Sequence, residues 1–155
     1  MKSDLMSQIV KKIISSGIAS PNSIKGCTID EINNLESAMN MRFPAIYKEF
    51  LLAMGHKAGS FYVGTDMFYN NLIDIQEWAK ELLIEDGNQF ALSNDVFVFS
   101  IHQGYQFTYF QTDKVSDDPP VYYYIEGSGI PEKKWLSFSV YLLESIADHE
   151  KVFHM

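Results

Sequence analysis

The sequence predicts an α+β fold: one domain with a central, mostly antiparallel sheet and helices packed against it. Three observations carry the prediction. Residues 28–55 read as two amphipathic helices joined at a proline corner; residues 95–125 alternate like strands broken by tight turns; a last helical pattern follows near residues 137–148. Helices and strands are thus segregated along the chain rather than strictly alternating, which is the α+β pattern. A length of 155 residues suits one domain with a real core, and no repeat, low-complexity tract or linker divides it. The expected layout is an N-terminal helix and loop over 1–27, a core over 28–147 and a tail over 148–155.

In the first segment, residues 3–16 place Leu5, Ile9 and Ile13 on one helical face, which favours packing on the body over a mobile arm. Gly17 and Ser20-Pro21-Asn22 end that helix, and Lys25-Gly26 reads as loop. Thr28 and Glu31 have the spacing of a capping box. Ile29, Ile32, Leu35 and Met39 then form an apolar stripe up to the corner at Arg42-Phe43-Pro44. Pro44 suits the first position of the second helix, where a missing N–H costs nothing. Ile46, Tyr47, Phe50, Leu51 and Met54 give that helix its own stripe, and Gly55 is expected as a left-handed stop.

Residues 56–60 are turn-rich, and residues 60–70, with Gly64 and Asp66, read as a short strand or ordered loop. Asn71 is placed to cap a helix running to about Ile84, with Leu72, Ile75, Trp78, Ala79, Leu82 and Leu83 as its apolar stripe. Glu81, Glu85 and Asp86 crowd its C-terminal end, where they oppose the helix dipole at a cost of tenths of a kcal/mol each, roughly. From Phe90 the period becomes that of strands. Asp95–Ile101 and Tyr105–Phe110 form a hairpin about Gln103-Gly104, and Pro120–Ile125 a third strand. Gly127-Ser128-Gly129 turns the chain toward a final helix over about 137–148, and His149–Met155 reads as a frayed tail or a strip across an edge.

Composition narrows the function. The single cysteine, Cys27, excludes an intramolecular disulfide framework and fits a reducing compartment. No apolar run has the roughly 20 residues of a membrane helix, and no signal peptide is read, so the chain is expected in the cytoplasm. Residues 1–27 hold four lysines against one acid, a balance of +3, whereas the remainder holds 8 basic and 19 acidic residues, a balance of −11. Such a body repels nucleic acid and anionic membrane and attracts a basic partner; the same charge also serves solubility alone.

The usual catalytic and metal motifs are missing: no GxGxxG, no GxxxxGK[ST], no HExxH and no paired CxxC. His56 and His102 are far from each other and from His149 and His154, and these last two are five apart rather than the three or four that stack ligands on one helical face. His102, beside the hairpin turn, would serve as a general base only with a carboxylate behind it. Cys27 would be a nucleophile only with a histidine near it in space; a small buried hydrophobe is the simpler reading. Asp113, Asp117 and Asp118 do not have EF-hand spacing. Tyr122-Tyr123-Tyr124 lacks the basic groove that base stacking needs, and alternation sends Tyr123 to the face opposite Tyr122 and Tyr124. Neither a cofactor nor a metal is implied.

The chain resembles the SUKH superfamily, the fold shared by fungal Smi/Knr cell-wall regulators and many bacterial immunity proteins. The resemblance rests on Ile32-Asn33-Asn34-Leu35-Glu36, then Phe43-Pro44 through Tyr47 to Phe50-Leu51, then Gly55. Val96–Phe99, Gly104 with Phe107, Pro119–Tyr122 and Ser137–Ser139 continue it, so that it covers residues 28–147. The family often has Leu where Phe43 stands and a second Gly or Asn near Gly55, where this chain has Met54 and His56. The resemblance implies an α+β binding domain without shared catalytic residues, and a bacterial member that neutralises a cognate protein toxin, often a nuclease.

The functional expectation is therefore a non-enzymatic immunity protein with a basic toxin as partner. Its candidate contacts, chosen by charge and position, are Asp66, Glu81, Glu85, Asp86, Asp113, Asp117 and Asp118, with Tyr69 and Tyr123 as aromatic anchors. The alternatives are a regulatory or scaffold domain, which needs an exposed sheet edge or apolar groove, and a small enzyme, which needs a polar cleft with a perturbed titratable group.

Overall fold

The computed structural model describes residues 4–62, 65–88, 91–113 and 116–153, with side chains described through residue 150. Of the residues singled out above, Gly64, Phe90 and His154 lie outside the described residues. The main sheet is an antiparallel meander in the order β3 (Thr65–Asp66), β4 (Val96–His102), β5 (Gln106–Gln111), β6 (Val121–Ile125), β7 (Glu132–Trp135). A small antiparallel ladder joins β1 (Ile24–Lys25) to β2 (Lys57–Ala58) and closes off the helical hairpin of α2 (Ile29–Met39) and α3 (Ala45–Met54). The helices α1 (Asp4–Ser15), α4 (Leu72–Glu85) and α5 (Phe138–Phe153) complete the α+β fold.

The N-terminal helix is packed. Met6, Ile9 and Ile13 of α1 are fully buried, and α1 lies against α3 and α5. The capping box of α2 forms as its spacing predicts: the Thr28 hydroxyl accepts from the Glu31 amide at 3.1 Å, and the Glu31 carboxylate accepts from the Thr28 amide at 2.9 Å. The stripe of α2 is narrower than expected, because Ile29 is exposed and only Ile32 and Leu35 are fully inside. At the corner, Glu36 accepts a hydrogen bond from the Phe43 amide at 2.7 Å and pairs with Lys48 at 3.4 Å. That carboxylate satisfies a backbone donor which the turn leaves without a helical partner.

Pro44 is the capping residue of α3 rather than its first helical residue. Gly55 is not a left-handed stop: its φ is −65°. Glycine is needed there for space, since a Cβ would stand 2.4 Å from the Cys27 sulfur and 2.7 Å from the Leu51 carbonyl oxygen. Gly26, on the other side of Cys27, is tighter still, with a Cβ position 1.7 Å from the Leu52 carbonyl oxygen.

Tyr47 stands at the centre of the core. Its ring meets Phe43, Phe50, Phe97, Phe110 and Phe138 at centroid distances of 5.0–6.0 Å, several edge to face. Each of these buried rings contributes roughly 1.5–3 kcal/mol by removal from water. The core is therefore the seam where α3 and α5 meet β4 and β5.

On α4, Gln76 is buried, and its amide both accepts from the Val98 N–H at 3.0 Å and donates to the Val98 carbonyl at 2.7 Å. The two-residue β3 pairs only with Ile101 and His102, so β4 would otherwise present Val98 as an open edge. Asn71 does not cap α4 with its side chain; its amide donates to Asp66 at 3.1 Å. Further on, α5 continues to Phe153, so the expected frayed tail is helical over its described part.

Candidate functional site: the acidic face of α4

The 3.6-residue period of α4 sends Leu72, Ile75, Ala79, Leu82 and Leu83 inward and Asp74, Trp78, Glu81 and Glu85 outward along one exposed face. Trp78, expected in the apolar stripe, is 41% exposed. Beside it, Asp66 on the edge strand β3 joins Glu81 and Glu85 around a shallow cleft of about 210 Å³, which Leu82, Ile101 and Gly104 floor and close. Three of the acids chosen from the sequence thus come together, around a tryptophan that was not chosen. Glu77 continues the acidic character of the helix and holds Lys80, its only cation, at 3.5 Å. Glu81 and Glu85, four apart, repel each other by a few tenths of a kcal/mol, about 0.2–0.5.

The other candidates lie elsewhere. Asp86 turns toward the sheet: it accepts from the Tyr124 hydroxyl and, at 2.8 Å, from the Gly127 amide. Those bonds hold its carboxyl below the ordinary aspartate range. Asp118 takes the Ser139 hydroxyl and the Ser139 amide, the latter at 2.9 Å, and so caps the start of α5. Asp117 accepts the Ile46 amide on its main-chain carbonyl at 3.0 Å. Its exposed side chain and that of Asp113 border a broad depression of about 710 Å³, which Arg42 and Lys48 also line. This second patch mixes both signs of charge.

Neither tyrosine belongs to the acidic face. Tyr69 is half-buried, with its ring 5.1 Å from that of His56. Tyr123 donates to Gln106 at 2.6 Å, packs edge-on against Trp135 and has the Lys134 ammonium 4.6 Å above its ring. It lines a cavity of about 370 Å³ between the sheet and α5, together with Tyr62, His102, Trp135 and His149. Alternation is as predicted, with Tyr124 opposite Phe107 and Tyr122 opposite Tyr109 on one face, and Tyr123 opposite Thr108 on the other.

His102 Nδ1 lies 2.7 Å from the Thr65 hydroxyl, a neutral partner rather than a carboxylate. His149 accepts from the Tyr62 amide at 3.3 Å, and burial pushes its pKa down. A histidine does stand near Cys27, namely His56, but Glu31 engages it at 2.9 Å. Burial first and Glu31 second push the Cys27 thiol up to about 12, the opposite of an activated nucleophile. Among the described residues no helix is long and apolar enough to cross a membrane.

These elements define an α+β domain that presents an exposed acidic helix. Residues 26–144 match the model of the SMI1 / KNR4 family (SUKH-1), and the chain belongs to that family. The match begins at Gly26, the glycine that lets the chain pass against α3. No curated protein matches the sequence.

Proposed function

We propose that this chain is a non-enzymatic immunity protein that binds and neutralises a basic bacterial toxin, a nuclease being the class its charge suits. One observation carries the reading: Asp66, Glu81 and Glu85 surround a cleft at which Trp78 is exposed. A nuclease presents lysines and arginines to its substrate phosphates, and the same groups fit a carboxylate-rimmed cleft with an aromatic wall. Family membership supports a protein partner. The cytoplasm, a reducing compartment that suits the single cysteine, is the proposed location. Asp113 and Asp117 form an outer patch that adds to the field, whereas Asp86 and Asp118 act mainly inside the fold.

The alternative, a regulatory domain that adds a peptide strand to the sheet, finds less support. The edge strand β7 carries exposed Glu132, Lys133 and Lys134, the charged pattern that discourages strand addition.

The test is co-expression with any toxin encoded beside it. Wild type is expected to protect the cell and to co-purify with the toxin, and Glu81→Lys with Glu85→Lys to lose both while remaining folded by circular dichroism. Full protection by the folded double variant would exclude this face; failure of wild type to bind any neighbouring toxin would exclude the function.

A further inference from the structure

Away from the acidic face, three metal-ligating side chains from three segments meet where the start of α2 faces the end of α3. Cys27 closes the connection from β1, Glu31 stands in the first turn of α2, and His56 follows α3. Their sulfur, carboxylate and imidazole donor atoms all lie within 4.8 Å of one another. His56 Nε2 is 3.0 and 2.9 Å from the two Glu31 oxygens.

The frame that holds them is rigid. The Cys27 amide donates to the Leu51 carbonyl at 2.7 Å, the His56 amide to the Lys25 carbonyl at 2.9 Å, and the Tyr69 amide to the Gly55 carbonyl at 2.7 Å. The sulfur occupies space that only glycine at position 55 leaves open. Glu31 is further oriented by the Thr28 amide on Oε1.

We propose that Cys27, Glu31 and His56 form a binding site for a divalent ion of the zinc class, which ties the start of α2 to the end of α3. One sulfur, one imidazole nitrogen and one carboxylate oxygen suit a borderline-soft tetrahedral ion; magnesium and calcium prefer oxygen alone. On binding, the Cys27 S–H bond breaks, the sulfur's electron pair goes to the ion and the proton passes to solvent. His56 and Glu31 are partly exposed, at 18% and 29% of their side chains, which provides the entry path and a fourth position for water. The role is structural: it is separate from the acidic cleft and asks nothing of the partner.

The experiment adds Co²⁺ to chelator-treated full-length protein. With one cysteine in the chain, any sulfur-to-cobalt charge-transfer band reports Cys27. The expected result is such a band saturating at one Co²⁺ per chain, bleached by Zn²⁺, with the melting temperature raised by Zn²⁺. Cys27→Ala is expected to abolish the band, and His56→Gln to weaken Co²⁺ binding at least about tenfold, as lost ligand-shell contacts do. His56→Gln sits at a partly exposed position, so it decides the matter even if Cys27→Ala fails to fold. Absence of the band in wild type, or a Zn²⁺-induced rise in melting temperature undiminished in His56→Gln, overturns the proposal.

Discussion

The Glu36 carboxylate accepts the Phe43 amide from seven residues away while holding Lys48, so one side chain fixes both arms of the α2–α3 corner. Glu36→Ala leaves a partly buried amide unpaired and loses a charge-assisted bond. Its expected cost is about 1.5–3 kcal/mol, read as a lower urea midpoint at unchanged slope. Asp86 offers a pH signature instead. Its bonds from Tyr124 and Gly127 depress its folded pKa below the ordinary 3.8. A depressed carboxyl contributes stability above its unfolded pKa and loses it as pH falls through the folded value. The stability difference between wild type and Asp86→Asn is therefore expected to be full near neutrality and to shrink as pH falls through the ordinary aspartate range and below it, measured by denaturation across that range. These two acids mark how far residues were legible in the sequence. The Thr28–Glu31 box was readable because donor and acceptor are three apart on one helix turn. The roles of Asp86 and Asp118 were not, since their donors arrive from 21 to 41 residues away and a carboxylate does not announce which amide will reach it.

At the scale of elements, α4 and β4 are joined by more than apolar contact. Gln76 occupies both the N–H and the C=O of Val98, doing for that edge what the short β3 does for Ile101 and His102. Gln76→Leu keeps the volume but leaves two buried backbone groups without partners. It is expected to cost about 2–6 kcal/mol, on the order of 1–3 for each group. Amide exchange at Val98 is expected to accelerate more than exchange at Phe110 in the centre of the sheet, a local opening that a merely loosened core would not produce. Long periodic elements were legible: α2, α3, α4 and the strands β4 to β6 fall where their patterns place them. The elements missed are those whose pattern carries no burial. The exposed Glu-Lys-Lys run of β7 lacks strand alternation, and the two-residue strands β1 and β2 exist through their mutual pairing rather than through propensity. Trp78 was misassigned for a related reason: a helical period identifies a stripe, but the sheet decides how wide the buried part of that stripe is.

Across the whole molecule, the formal charge of −8 combines a basic N-terminal segment with a strongly acidic remainder. Because α1 is packed on α3 and α5, its lysines Lys11 and Lys12 are fixed features of the surface rather than a trailing arm. The opposite sign of charge is concentrated on α4 and on the edge at Asp66. A basic partner approaching from a distance feels this asymmetry before any contact forms, and complementary charge acts mainly on the association rate. In the proposed complex Trp78 acts later: its ring contributes only once water has left the cleft, so its loss is felt in dissociation. The two kinds of residue are separable by kinetics. With the toxin immobilised, Glu81→Lys with Glu85→Lys is expected to slow association by roughly tenfold or more at low salt, with the gap from wild type closing as ionic strength rises past about 0.15 M, where the Debye length is about 8 Å. Trp78→Ala is expected to leave association nearly unchanged and to speed dissociation by roughly tenfold or more, at the lower end of an aromatic hot spot. If instead the charge variants altered only dissociation and their effect did not depend on salt, these acids would be acting as buried contact residues, and steering by the acidic face would be ruled out.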